Sequence, residues 1–238
     1  MFSFANTVQS IGEVLADSFK LYRLTVLKVF PIAALSLLMG AIPNLSGISF
    51  STPAPNTAAL IALVLALVVT LLAALAVSAI LIQGMYVLAL GRENKWMDAA
   101  RVIMSKLGSI FCVFIFSSTL MVLGFTALFF PGVFVSILLL FCMPLVILDH
   151  CGWMDAIKKS CQLVWGYWWN TFFVMVMPML VSIFLIAAIT AIAKNNQILL
   201  AVMNVVVMSF FTPFFYAVLL VQFNNLKLKQ STKAVENT

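Results

Sequence analysis

Side chains able to do acid, base or metal chemistry are so few in this chain that each can be weighed singly. The only histidine, His150, directly follows Asp149. General acid–base and nucleophilic catalysis need their groups within hydrogen-bond reach of each other, whereas adjacent residues on a helix point in different directions. The pair therefore does not read as a catalytic dyad. The cysteines Cys112, Cys142, Cys151 and Cys161 form no metal-ligand spacing. Phosphate-binding glycine loops, HExxH patterns and paired acids within an apolar stretch are all lacking. The sequence is read as non-enzymatic, with no catalytic, cofactor or metal residues.

What remains is basic and aromatic. The tetrapeptide WMDA occurs at Trp96 to Ala99 and again at Trp153 to Ala156, a shift of 57 residues. After each acid the apolar positions recur at helical spacing: Trp96, Ala99, Ala100, Ile103, Met104 and Leu107, then Trp153, Ala156, Ile157, Ser160, Cys161 and Val164. The same template fits Ile11, Val14, Leu15, Ser18, Phe19 and Tyr22, with Glu13 standing where Asp98 and Asp155 stand. Acids come early and bases late in each copy, which suits the helix dipole. Three amphipathic helices result, with Lys20, Arg23, Arg101, Lys106, Lys158 and Lys159 as candidate contacts to lipid headgroups. Trp96, Trp153 and the Trp165, Trp168 and Trp169 of WGYWWN are read as interfacial anchors, the depth at which such rings ordinarily sit, and not as a cation cage.

The elements that position these helices are apolar spans. With 64% hydrophobic and 8% charged residues and a mean hydropathy of +1.17, the chain lies far from soluble composition. Runs free of ionisable residues fall at 29–42, 58–91, 107–148, 171–193 and 195–223. The 107–148 run would extend about 63 Å as one helix, twice the roughly 30 Å of bilayer hydrocarbon. It must fold back, and Pro131-Gly132 marks the turn. The 58–91 run reads as one long helix. The expectation is an all-α, polytopic membrane domain over 1–238 with six spans and three interfacial helices. Its pseudo-threefold repeat has units near 8–90, 93–148 and 150–223, ahead of a short polar tail at 224–238.

Charge gives the orientation. Twelve of the thirteen Lys and Arg residues fall on the side of both termini, with only Lys194 opposite, so the N and C termini are expected in the cytoplasm and 43–57 outside. The net charge of +6 then faces anionic headgroups, not nucleic acid. No cleavable signal peptide is expected, because MFSFANTVQS has no basic start. Cys151 and Cys161 would lie on the reducing side, so no disulfide is expected. Pro31, Pro144, Pro178 and Pro213 within spans are read as packing kinks. Gln83, Asn204 and Gln222 are read as helix-to-helix hydrogen-bonding groups, since no ionisable residue sits mid-span to couple transport.

The stretch 131–170 resembles the YciC-type inner-membrane family of bacteria, which is related to the membrane domain beside some glycerophosphodiester phosphodiesterases. The resemblance rests on Pro131-Gly132, Asp149, Gly152, Lys159-Ser160 and Trp165, with a lysine where that family carries arginine before the serine. It implies a six-span bacterial inner-membrane protein concerned with envelope maintenance. The leading reading is a lipid-interacting scaffold, partnered by membrane lipids and by a second copy or another membrane protein. A small-molecule transporter or channel and an anchor for a soluble enzyme are the alternatives.

Overall fold

The structure, a computed structural model, describes residues 2, 4–45, 57–92, 96–193 and 196–236. Most of the expected outer turn (46–56), together with Lys95 and Lys194, lies outside them. Among the described residues there are eight helices and no strand: α1 Ile11–Leu45, α2 Thr57–Ala89, α3 Trp96–Ala127, α4 Phe129–Leu138, α5 Cys142–Leu148, α6 Trp153–Val164, α7 Trp168–Ala193 and α8 Gln197–Glu236.

Five stretches among the described residues are long and apolar enough to cross a bilayer: Leu67–Ala89, Trp96–Ala127, Phe129–Leu148, Trp168–Ala193 and Leu199–Lys233. The expected first span, 29–42, is the distal half of α1. The protein is thus an all-helical, multi-pass integral membrane protein. The 58–91 run forms one helix, as expected.

Caps set the long helices. Ser10 and Glu13 form a capping box: the Ser10 backbone N–H donates to the Glu13 carboxylate at 2.7 Å, and the Glu13 N–H donates to Ser10 Oγ at 3.4 Å. Asn196 Oδ1 accepts the Leu199 N–H at 3.0 Å at the start of α8.

Two expectations are corrected here. The first two amphipathic copies are not separate interfacial helices, because nothing interrupts their ladders before the spans of α1 and α3. Only the third, α6, stands alone, ended by Gly166 at φ +89, a conformation open chiefly to glycine. The long hairpin also turns three residues before Pro131. Leu128 is extended, and Pro131 is the third residue of α4, where its missing N–H is one that no helix satisfies internally. Gly132 instead serves packing: a Cβ there would come within 2.4 Å of the Phe125 ring, and one at Gly124 would meet Gly132 Cα at 3.0 Å. The expected polar tail at 224–238 continues α8 as helix through Glu236.

The molecule is polarised along its length. One end, built from the near halves of α1 and α3, the far halves of α2 and α8, and α5 and α6, encloses a core that includes Leu21, Met85, Ile103, Phe141, Ile147 and Leu226. The other end presents apolar side chains outward, Phe130 at 83% and Phe184 at 75% exposure among them. A bilayer accounts for such a face, since water would not. In all three template copies the second and fourth positions are buried: Val14 and Ser18, Ala99 and Ile103, Ala156 and Ser160.

The N-terminal segment is strapped across the core end. Asn225 in α8 accepts the Gln9 N–H at 2.9 Å and donates to the Gln9 carbonyl at 3.3 Å, while Asn224 donates to the Ala5 carbonyl. The Phe4 ring lies 5.8 Å from that of Tyr86.

Candidate functional site

Of the residues singled out between 131 and 170, Asp149, Gly152, Lys159 and Ser160 lie at the core end around a break in one span, whereas Pro131 and Gly132 stay at the hairpin between α3 and α4. Pro144 has no N–H, and its ring excludes the carbonyl four residues earlier, so the helix entering at Phe129 stops at Leu138 and restarts at Cys142. The gap strands a carbonyl and an amide inside the core. Ser160, fully buried on α6, repairs both: its hydroxyl donates to the Leu138 carbonyl at 2.6 Å and accepts the Phe141 N–H at 3.2 Å. Ser18, at the matching template position, only bonds back to Val14 of its own turn.

Below the break, α5 ends in a short loop, 149–152, seized by lysines from three helices. Lys227 of α8 pairs with the Asp149 carboxylate at 2.6 Å and lies 4.4 Å from the Phe223 ring centre. Lys106 of α3 donates to the carbonyls of Val146 and Ile147, both at 3.4 Å, and to Nδ1 of His150. Cations at a helix C-terminus oppose its dipole and occupy its free carbonyls. Lys159 of α6 donates to Cys151 Sγ at 3.1 Å, and this contact holds its ammonium above the ordinary lysine value. His150 adopts φ +54, a left-handed conformation unusual outside glycine but several-fold enriched in histidine. Asp149 and His150 consequently address different lysines and do not form a dyad with each other.

Three lysines against one carboxylate make this loop electropositive. No group of three His, Cys, Asp or Glu side chains among the described residues is placed to hold a metal. The arrangement can fix a loop and present positive charge.

The expected headgroup contacts divide. Arg23, Arg101 and Lys158 are exposed, and Lys20 is exposed but paired with Asp17 at 2.8 Å. Lys106 and Lys159 are committed to the loop. The expected anchors divide too. Trp165 and Trp169 are 68% and 66% exposed. Trp96 and Trp153 pack against the core, Trp153 with its ring 5.8 Å from Phe116. Trp168 stacks on Phe134 and donates to its carbonyl at 3.3 Å. Gly152 opens α6, yet a Cβ there would meet only Asp155 Oδ2 at 3.8 Å, so nothing steric requires glycine.

Sequence reasoning missed Lys227, whose partner lies 78 positions away, and the Gln9–Asn225 pair, 216 positions apart. Only the polar interruption NN after a long apolar run hinted at the latter. Gln222 is fully buried and donates to Asn170 and Thr171 of α7 at 3.1 and 3.3 Å, the interhelical bonding anticipated for it. No family model, curated protein or solved structure matches the chain.

Proposed function

We propose that the protein is a non-enzymatic, lipid-interacting scaffold of a bacterial inner membrane, with both termini cytoplasmic and the distal half of α1 serving as a sixth span. In this reading it belongs with the YciC-type proteins that 131–170 resembles, and the three template copies are related by a pseudo-threefold repeat. The observation that carries it is the division of the molecule into an outward-facing apolar end and a packed end whose rim carries the exposed bases Arg23, Arg101 and Lys158. Apolar surface fits the bilayer interior, and the bases fit the anionic leaflet beside it.

The test is to extract the full-length protein with its surrounding lipid in polymer-bounded discs and to compare that lipid with the bulk membrane. Anionic lipid should be enriched, and R101Q together with K158Q should reduce the enrichment. Reporter fusions after Gly91, Gly152 and Lys229 should report cytoplasmic. Substrate-dependent flux across proteoliposomes, with no anionic enrichment, would overturn the scaffold reading in favour of transport.

A further inference from the structure

A cavity of about 360 Å³ opens at the packed end between the N-terminal segment, the link from α6 to α7 and the last turns of α8, lined by Val8, Tyr167, Lys229, Thr232 and Lys233. Lys229, Thr232 and Lys233 stand at i, i+3 and i+4, hence on one face of α8. Neither lysine makes an ion pair among the described residues, where the salt bridges are Lys20–Asp17 and Lys227–Asp149. Like charges one turn apart repel. Half-buried Lys229 is turned over the Tyr167 ring at 5.1 Å. The Asp149 carboxylate is already taken by Lys227.

The depth of the cavity is marked by its neighbours. Exposed Trp165 and Trp169 flank Tyr167, and aromatic rings of this kind sit at the boundary between hydrocarbon and headgroups. Earlier along α8, buried Gln222 and Asn225 form a hydrogen-bonded polar layer with Gln9, Thr171 and half-buried Asn170. The result is a cationic niche with a hydroxyl and an aromatic wall, open at headgroup level, whose described lining includes no acid.

We infer that this niche binds a phosphate group, with Lys229 and Lys233 neutralising its charge. The inference rests on the lipid-interacting reading above and locates it at residues outside the three amphipathic helices. Two sources could supply the phosphate, an anionic phospholipid headgroup or a soluble phosphate, and they separate experimentally.

The full-length protein in detergent is incubated with phosphatidylglycerol or with phosphatidylcholine of identical chains, and retained lipid is counted by native mass spectrometry. A parallel arm titrates inorganic phosphate. The wild type is expected to retain phosphatidylglycerol preferentially, and K229Q/K233Q to retain it roughly 10- to 30-fold less, since each base near an anionic surface contributes about a three- to fivefold factor. R92Q, at an exposed arginine outside both the niche and the basic rim, should change retention less than about twofold, and all three proteins should melt together. Phosphate binding lost in K229Q/K233Q, without phosphatidylglycerol retention, would assign the same niche to a soluble phosphate. If K229Q/K233Q retains phosphatidylglycerol as the wild type does and binds phosphate equally, the niche is wrong while the lipid reading survives. Absence of any anionic preference in the wild type would remove the lipid reading itself.

Discussion

Ser160 on α6 and Phe141 in the break between α4 and α5 are joined by a hydrogen bond from the Phe141 amide to the serine hydroxyl, and the same hydroxyl returns a bond to Leu138. One side chain thus replaces two links of a backbone ladder. S160A leaves a buried donor and a buried acceptor without partners, each costing about 1–3 kcal/mol. The expected loss is roughly 2–4 kcal/mol in thermal unfolding of the detergent-solubilised protein. S18A removes only a bond within its own turn and should cost under about 1 kcal/mol. Equal losses in the two variants would sink this account.

The contact of Gly132 with Phe125 predicts non-additivity. G132A forces a methyl into the ring and should destabilise by about 1–3 kcal/mol. F125A vacates that space, so the double variant should lose less than the sum of the singles, with a coupling of about 1 kcal/mol or more. Simple additivity in unfolding measurements would show that the hairpin does not close through these residues.

His150 separates backbone from side chain. H150A keeps a left-handed backbone on an L residue and loses the Lys106 contact, whereas H150G loses the contact but relieves the backbone by about 1 kcal/mol. H150G should therefore be the more stable of the two by about that amount. Indistinguishable melting temperatures would mean the loop has another conformation.

The start of α1 should depend on acidity through Glu13. The Ser10 backbone N–H, and then the Ser10 hydroxyl, hold its carboxyl below the ordinary value of 4.5. A depressed folded value contributes stability that is present above the unfolded value and lost as pH falls through the folded one. Amide protection factors in the first turn of α1, corrected for the intrinsic exchange rate at each pH, should fall below about pH 4.5 in the wild type and be low and nearly independent of acidity in E13Q. The same acid dependence in E13Q would assign it to another group.

How far the sequence could be read is clear from particular residues. The template positions identified the faces that became buried, because a buried stripe must repeat with the helical period whatever lies opposite. The break between helix and span was not legible. Gly108 and Gly166 both follow an amphipathic copy, but Gly108 stays helical with open space around it, and Gly166 takes φ +89. Pro131-Gly132 announced a hairpin correctly in kind, yet Gly124 is silent in sequence because its role is to admit another backbone eight residues on. Ser160 stood out by position but not by role. A hydroxyl that repairs a distant ladder looks the same in sequence as Ser18, which repairs nothing.

The strap of residues 4–10 over Asn224 and Asn225 also orders events in time. Gln9 leaves the ribosome 216 positions ahead of its hydrogen-bond partner in α8. At 5–20 residues per second that is a wait of roughly 10–45 seconds. Throughout it, the amides at Gln9 must be served by water, and the cleft later filled by Phe4 stands open beside Tyr86. Chains released early, without α8, would therefore carry an unlatched strap, its Gln9 backbone groups left to water.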